Sequence, residues 1–199
     1  MIHPNGTGGG AIFSADKKTF RQKGAQGVLG LSVDLRRRHD AMISDFILAT
    51  SQYRQARQVL AYSALADEVS LDVVIERARG EGKAVFLPAL DESGAGMGFM
   101  SWPPGEERVR GRFGLLEPRQ GEAPLDVASL TLVPGRAFDG HGHRVGRGRG
   151  YYDRVLDGLA SLGPVLGVAY SCQVFAEVPA SDDDRSVDFV ITEKGQCGG

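Results

Sequence analysis

The chain has 199 residues, of which 42% are hydrophobic and 24% charged, the balance of an ordinary soluble globular protein with one real core. Its formal charge of −2 argues against a generic nucleic-acid or membrane-surface binder, so any anion site must be a local concentration of basic residues. No stretch approaches the ~20 apolar residues needed to cross a bilayer. The two cysteines, Cys172 and Cys197, are too few for a disulfide framework and lack zinc-site spacing.

Met1 to Ala15 lack a basic start and a continuous apolar run, so no signal peptide is expected and the reduced cysteines predict a cytoplasmic protein. The Gly6-Thr7-Gly8-Gly9-Gly10 run predicts a flexible tail over 1–15, ahead of a single domain over 16–195. Lys17 and Arg21 are one helical turn apart and share a face, which on its own reads as solvated cationic surface. Gly24 and Gly27 each cost about 1 kcal/mol of helix relative to alanine, which predicts a short or broken first helix.

From Asp34 to Thr50, Leu35, Met42, Ile43, Phe46 and Ile47 recur at helical spacing behind Ser32, a suitable N-cap. Val59 to Leu65 reads as a strand. Leu71, Val74, Ile75 and Ala78 mark a second helix, with Ser70 as cap and Gly80 and Gly82 as stops. Ala84 to Leu90 is a buried-type strand, and Phe99 to Trp102 a shorter one cut off by Pro103-Pro104. Pro103 to Ala128 reads as a long irregular crossing. Leu130 to Phe138 is a strand, Tyr152, Val155, Leu156 and Leu159 a helix, and Val165 to Tyr170 and Phe189 to Thr192 the last strands. Strands alternating with helices predict an α/β fold, a single three-layer α/β/α domain with a largely parallel sheet.

The segment Gly142 to Asp153 concentrates the chemistry. Alternate glycines let a backbone approach a ligand closely and expose N–H groups. Arginines between them add fork-shaped donors, and the following helix contributes its positive N-terminal end. Five arginines and two acids fall between Arg136 and Arg154, the one pronounced charge asymmetry of the chain. Together these parts favour a polyanion such as a nucleotide phosphate chain, with Asp153 placed to hold the accompanying metal. The loop is neither a Walker A sequence nor a dinucleotide fingerprint, since its glycines start well after Phe138. Taken alone it reads equally as a flexible loop or an RG-type nucleic-acid segment, although the overall acidity counts against the latter. His141 and His143 read as solvated loop histidines.

The run V-P-G-x-A-F-D-x-x-G-x-R-x-G-x-G-x-G-Y-Y-D-R-x-L, from Val133 to Leu156, resembles the signature of the 5-formyltetrahydrofolate cyclo-ligase family. The resemblance extends through Lys17-x-x-x-Arg21, Asp67-Glu68-Val69, Lys83 to Pro88, Gly114 to Pro118 and Val190-Ile191-Thr192-Glu193. It implies ATP-dependent conversion of 5-formyltetrahydrofolate to 5,10-methenyltetrahydrofolate, with release of ADP and phosphate through a phosphorylated formyl intermediate. It further implies Mg2+ as cofactor, 5-formyltetrahydrofolate and ATP as the ligands, no nucleic acid or membrane partner, and a monomer.

Residue by residue, the resemblance implies that Lys17, Arg21, Arg144, Gly146, Arg147, Gly148, Arg149, Gly150, Tyr151 and Tyr152 meet ATP. Arg149 and Tyr152 become the catalytic candidates. Ser63, Glu68, Phe113, Arg147 and Tyr151 would contact the folate, and Asp153 and Asp184 the metal. A carboxylate at Glu68 suits the paired N–H donors of a 2-amino-4-oxo pyrimidine. Hard oxygen ligands suit nucleotide-bound Mg2+. The plainer readings stay open: Glu68 as a loop acid, Phe113 and Tyr152 as core residues, and the Asp182-Asp183-Asp184 run as a solvated turn. The spacing Asp184-x-x-x-Asp188 favours Asp184 within that run. A non-catalytic folate- or nucleotide-binding relative is the alternative reading, motivated by the glycines of the first helix.

Overall fold

The computed structural model describes residues 9–91, 93–103, 105–111, 116–118, 125, 128–181 and 184–198. Phe113, Asp182 and Asp183 lie outside the described residues. Five α-helices are described: α1 (Gly9–Leu29), α2 (Val33–Ala49), α3 (Ser51–Gln55), α4 (Asp72–Gly80) and α5 (Tyr151–Ala160). The central sheet is built from β1 (Gln58–Leu60), β2 (Ala84–Leu90), β3 (Met97–Ser101), β6 (Ser129–Pro134), β9 (Val165–Val168), β10 (Phe189–Thr192) and β11 (Gly195–Cys197). Two small antiparallel ladders join β4 (Arg108–Arg110) to β5 (Leu116–Pro118) and β7 (Ala137–Phe138) to β8 (Arg144–Val145).

The sheet runs β11-β10-β9-β6-β1-β2-β3. The strands from β10 to β2 are mutually parallel, and β11 and β3 close the two edges antiparallel. A parallel sheet covered on both faces needs strands that are apolar throughout. Accordingly β9 and β10 are buried at every position. On one face, Val59, Val85, Leu130, Leu132, Leu166 and Ile191 pack with Ile43 and Ile47 of α2 and Val74, Ile75 and Ala78 of α4. On the other, Leu60, Phe86, Val133 and Val190 pack with Leu156 and Leu159 of α5. The result is the expected three-layer α/β fold with a largely parallel sheet.

Local expectations are met where hydrophobic period and cap chemistry agree. The Ser32 hydroxyl accepts from the Leu35 amide at 3.2 Å and starts α2. At α4 the N-cap position is Leu71, while the Ser70 hydroxyl accepts from Asp72 N at 3.3 Å. Trp102 follows β3. Its backbone N–H bonds Val85 O at 2.7 Å, its indole N–H bonds Glu106 O at 2.8 Å, and the Arg79 guanidinium lies 3.9 Å from its ring centroid.

The first helix departs from expectation. α1 is unbroken and starts at Gly9, inside the stretch read as a tail. Its glycines are contact points rather than breaks. A Cβ on Gly24 would stand 1.8 Å from the carbonyl oxygen of Arg136, and one on Gly27 3.2 Å from Cys172. Close backbone approach offsets a helix penalty of about 1 kcal/mol per glycine. The strand expected over Leu130 to Phe138 breaks after Pro134 into β6 and β7, and β8, the single turn α3, the β4–β5 ladder inside the long crossing and β11 have no counterpart in the sequence reading. Cys172 and Cys197 are both free thiols.

Candidate active site

In open α/β sheets, ligands bind beyond the carboxyl ends of the strands. β6 ends at Pro134, and the chain then forms the β7–β8 hairpin, with Arg136 N donating to Val145 O at 2.8 Å. The hairpin returns the chain toward the end of β6 before Gly146 to Gly150 begin. Glycines that start well after Phe138 in sequence are thereby brought back to the strand end. Asp139 holds the turn. Fully buried, it accepts from the amides of His141 at 2.9 Å, His143 at 3.1 Å and Val178 at 3.1 Å, and contacts His143 Nδ1 at 3.0 Å. Burial alone would raise this carboxyl. The Val178 amide, the His143 ring and the two further amides outweigh it and hold Asp139 below the usual carboxylate range.

The loop continues into α5 through Gly148 at φ +97° and Gly150 at φ +63°, a left-handed backbone that favours glycine. Gly146 is tight for another reason, since a Cβ there would lie 2.7 Å from Arg144 Nη1. Arg144 itself is buried, with a side chain 3% exposed, and pairs through Nη2 with Asp153 Oδ1 in the first turn of α5. Its guanidinium also lies 5.5 Å from the Tyr152 ring centroid. Burial pushes the Tyr152 phenol well above its ordinary value, so it stays protonated.

These residues form one wall of a cavity of about 330 Å3. Gly146, Arg147, Arg149, Gly150, Tyr151, Tyr152 and Asp153 line it on the loop side. Tyr62, Ser63, Leu65 and Glu68 line it from the segment after β1, and Leu90, Met97 and Glu117 from the sheet edge and β5. Glu68 accepts from Leu65 N at 2.9 Å through Oε2, and its Oε1 accepts from Arg147 Nε at 2.9 Å. Arg147 also donates to Asp67, which is paired in turn with Arg136. Partial burial would raise Asp67, but Arg147 first and Arg136 next overcome it and lower its carboxyl. Arg147 is raised in turn: desolvation would lower it, but the Asp67 and Glu68 carboxylates more than compensate.

Most of the sequence-derived site residues thus meet at one cavity. Arg21, on α1, reaches the same loop, donating from Nε to Gly146 O at 2.8 Å. Lys17 and Asp184 do not line the cavity among the described residues; they pair with each other, and Asp184 also accepts from Ser181 N at 2.6 Å and Ser181 Oγ at 2.8 Å. Burial opposes ionisation of Asp184, yet Lys17 first and then Ser181 hold its carboxyl low. Tyr151 donates its hydroxyl to Gly94 O at 2.7 Å. Asp67, Glu117 and Met97 are site residues that sequence reasoning left without a role. Glu117 belongs to the segment before Pro118 that resembles the family signature, and burial raises its carboxyl. No group of three or more His, Cys, Asp or Glu suited to a metal occurs among the described residues. No helix among them is long and apolar enough to cross a membrane.

A family model described as the 5-formyltetrahydrofolate cyclo-ligase family matches residues 14–193. The chain belongs to the 5-formyltetrahydrofolate cyclo-ligase family. It is therefore an enzyme of the ligase class. It is similar to the 5-formyltetrahydrofolate cyclo-ligase of Mus musculus, with 27% identity over 189 residues, covering 89% of this chain and 93% of the mouse protein. The cyclo-ligase of Escherichia coli (strain K12) is 32% identical over 143 residues, covering 69% and 78%. Among solved structures, the 5,10-methenyltetrahydrofolate synthetase of Aquifex aeolicus superposes with a TM-score of 0.78 at 32% identity, covering 92% of both chains. The Mycoplasma pneumoniae synthetase, at 22% identity, shares the fold with a TM-score of 0.73, over 89% of this chain and 99% of that one.

Proposed function

We propose that this family member uses Mg2+ and ATP to convert 5-formyltetrahydrofolate to 5,10-methenyltetrahydrofolate, releasing ADP and phosphate. The observation that carries the reading is the single cavity shared by two kinds of wall. Ser63, Leu65, Glu68, Leu90 and Met97 offer an apolar slot with one carboxylate, suited to a pterin ring. Gly146, Arg147, Arg149, Gly150 and the first turn of α5 offer glycine backbone, arginines and a helix N-terminus, suited to phosphates, while Gly148 lies off the lining. The alternative of a non-catalytic relative is motivated by the glycines of the first helix and the Gly-rich N-terminus. α1 is continuous and bonds the loop through Arg21.

In this reading the formyl oxygen attacks the γ-phosphorus of ATP, the bond to the bridging oxygen breaks, and ADP leaves. N10 then adds to the activated formyl carbon and loses its proton. Phosphate departs with the former formyl oxygen, leaving the methenyl bridge. Phosphoryl transfer of this kind depends on positioning and charge neutralisation rather than on a side-chain nucleophile. Arg149, Arg147 and the amide of Gly150 neutralise the transferring group. Arg21 steadies the loop from α1, and Glu68 orients the pterin by its paired N–H donors, with Ser63 and Tyr151 around the ring. Tyr152, kept neutral by burial, offers a hydroxyl donor without adding charge.

Asp153 stands on the cavity wall in the first turn of α5, and Mg2+ on a nucleotide needs only one or two carboxylates besides phosphates and water. Asp153 therefore suits that ion from the cavity wall, and Asp184, paired with Lys17 outside the lining, is the second candidate. When bound, Mg2+ would neutralise phosphate charge. Incubating the folded protein with 5-formyltetrahydrofolate and Mg-ATP tests the reading. The absorbance of methenyltetrahydrofolate is expected to rise. No rise over a heat-killed control would overturn it.

A further inference from the structure

Asp67 is not a cavity-lining residue, yet it joins the two halves of the site. Its carboxylate accepts from Arg147 of the glycine loop and from Arg136 at the root of the β7–β8 hairpin. Arg136 is anchored in turn, because its backbone N–H bonds Val145 O. Arg147 spans two neighbouring carboxylates at once. Nε lies on Glu68 at 2.9 Å and Nη2 on Asp67. Glu68 is the carboxylate suited to the pterin, with a side chain only 9% exposed, so the Nε contact lies where the pterin N–H donors would bind. The terminal contact to Asp67 lies outside that competition.

We propose that Asp67 is a positioning residue that acts through Arg147. With the pterin absent, Arg147 neutralises Glu68 and is held away from the nucleotide. When a 2-amino-4-oxo pyrimidine takes the Glu68 oxygens, only the Nε bond is lost. Asp67, fixed by Arg136, keeps the guanidinium tethered at the loop through Nη2, and the freed Nε–H of Arg147 turns to the phosphates. Folate and nucleotide then bind with positive coupling, because the first ligand frees the arginine the second one uses. A lysine could not do this, having no planar fork to span two carboxylates. The inference rests on the proposed function above.

The test is binding of Mg2+ with a non-hydrolysable ATP analogue, measured by calorimetry with and without saturating 5-formyltetrahydrofolate. In the wild-type chain the folate is expected to tighten the analogue about tenfold, or ~1.4 kcal/mol. The analogue must tighten the folate by the same factor. Asp67→Asn is expected to abolish the coupling and raise the KM for ATP more than that for folate, and Asp67→Glu to restore part of both. Should Asp67→Asn disturb folding through Arg136, Arg147→Lys reads the same coupling from a half-exposed position and should lose it too. Undiminished coupling in a folded Asp67→Asn or Arg147→Lys variant would overturn the proposal. So would a wild-type chain that forms methenyltetrahydrofolate normally but shows no coupling, which leaves the function standing. A wild-type chain that forms none removes both.

Discussion

Arg21 on α1 donates its Nε–H to the carbonyl oxygen of Gly146, 2.8 Å away and 125 positions along the chain. The bond ties the glycine loop to α1. A charged donor to a partly buried carbonyl contributes about 1.5–3 kcal/mol. Arg21→Ala is therefore expected to lower stability by about 1.5 kcal/mol and raise the KM for ATP about tenfold, with the folate KM nearly unchanged. Steady-state kinetics with each substrate varied and a urea melt check both parts.

Two glycine-to-alanine changes should move stability in opposite directions. At Gly24 the new methyl would strike the Arg136 carbonyl at 1.8 Å, with backbone on both sides and little room to yield. Overpacking of this kind costs about 1–3 kcal/mol, more than the helix gains. At Gly158, within α5, nothing lies within 4 Å of the added atom. Gly158→Ala should stabilise by about 0.5–1 kcal/mol. Urea midpoints of the two variants against wild type are the measurement.

Asp139 ties stability to acid pH. Its folded carboxyl lies below the ordinary value near 3.8. Its contribution is thus fully present above about pH 5, where the unfolded carboxyl is also ionised, and is lost as pH falls through the folded value. Asp67, Asp184 and Glu193 are lowered in the same sense and should act together. Asp139→Asn puts a donor among N–H groups and should cost about 2–3 kcal/mol at pH 7. The deficit should shrink toward pH 3, as read from urea midpoints across that range.

Removing Asp153 leaves Arg144 as a buried guanidinium without its ion partner. Fully buried pairs lose about 3–5 kcal/mol on such a change, and the 30% exposure of Asp153 brings the expected cost of Asp153→Ala nearer to about 2 kcal/mol. Asp153→Asn keeps a hydrogen-bond acceptor toward Arg144 and should cost less. Turnover should fall at least a hundredfold in both, so activity and stability separate in the pair. Melting curves beside the methenyl absorbance assay make the comparison.

Arg149 is exposed on the glycine loop, so its loss should be felt in chemistry rather than folding. Arg149→Ala is expected to reduce turnover by about 100-fold or more while shifting stability by less than about 0.5 kcal/mol. Kinetics and a melt on the same preparation decide.

Legibility in the sequence followed the range of the forces involved. β2 spans Ala84–Leu90, the limits its apolar run predicts, because seven consecutive apolar residues carry the buried stretch Val85 to Leu87 and Ala89 on both faces. α2 begins at Ser32 because a hydroxyl cap is a local signal. The continuity of α1 was hidden, because Gly24 and Gly27 answer to Arg136 and Cys172, distant in sequence. β11, Gly195–Cys197, has no apolar pattern and exists through its pairing with β10. Glu68, Arg147, Arg149 and Asp153, singled out from motif and chemistry, share one cavity lining. Asp67 was passed over because its meaning lies in two arginines at positions 136 and 147. Lys17 and Asp184 were read separately as ligands of phosphate and metal, and no local pattern announces that they pair.

Trp102 is the only tryptophan in the chain, and it is 6% exposed. It directly follows the edge strand β3, and its indole lies under the Arg79 guanidinium of α4, outside the cavity lining. The enzyme consequently carries a built-in fluorophore at the sheet margin. Its emission should redden when β3 and α4 part, so a denaturation followed at this one wavelength reports whether the edge opens before the rest of the molecule.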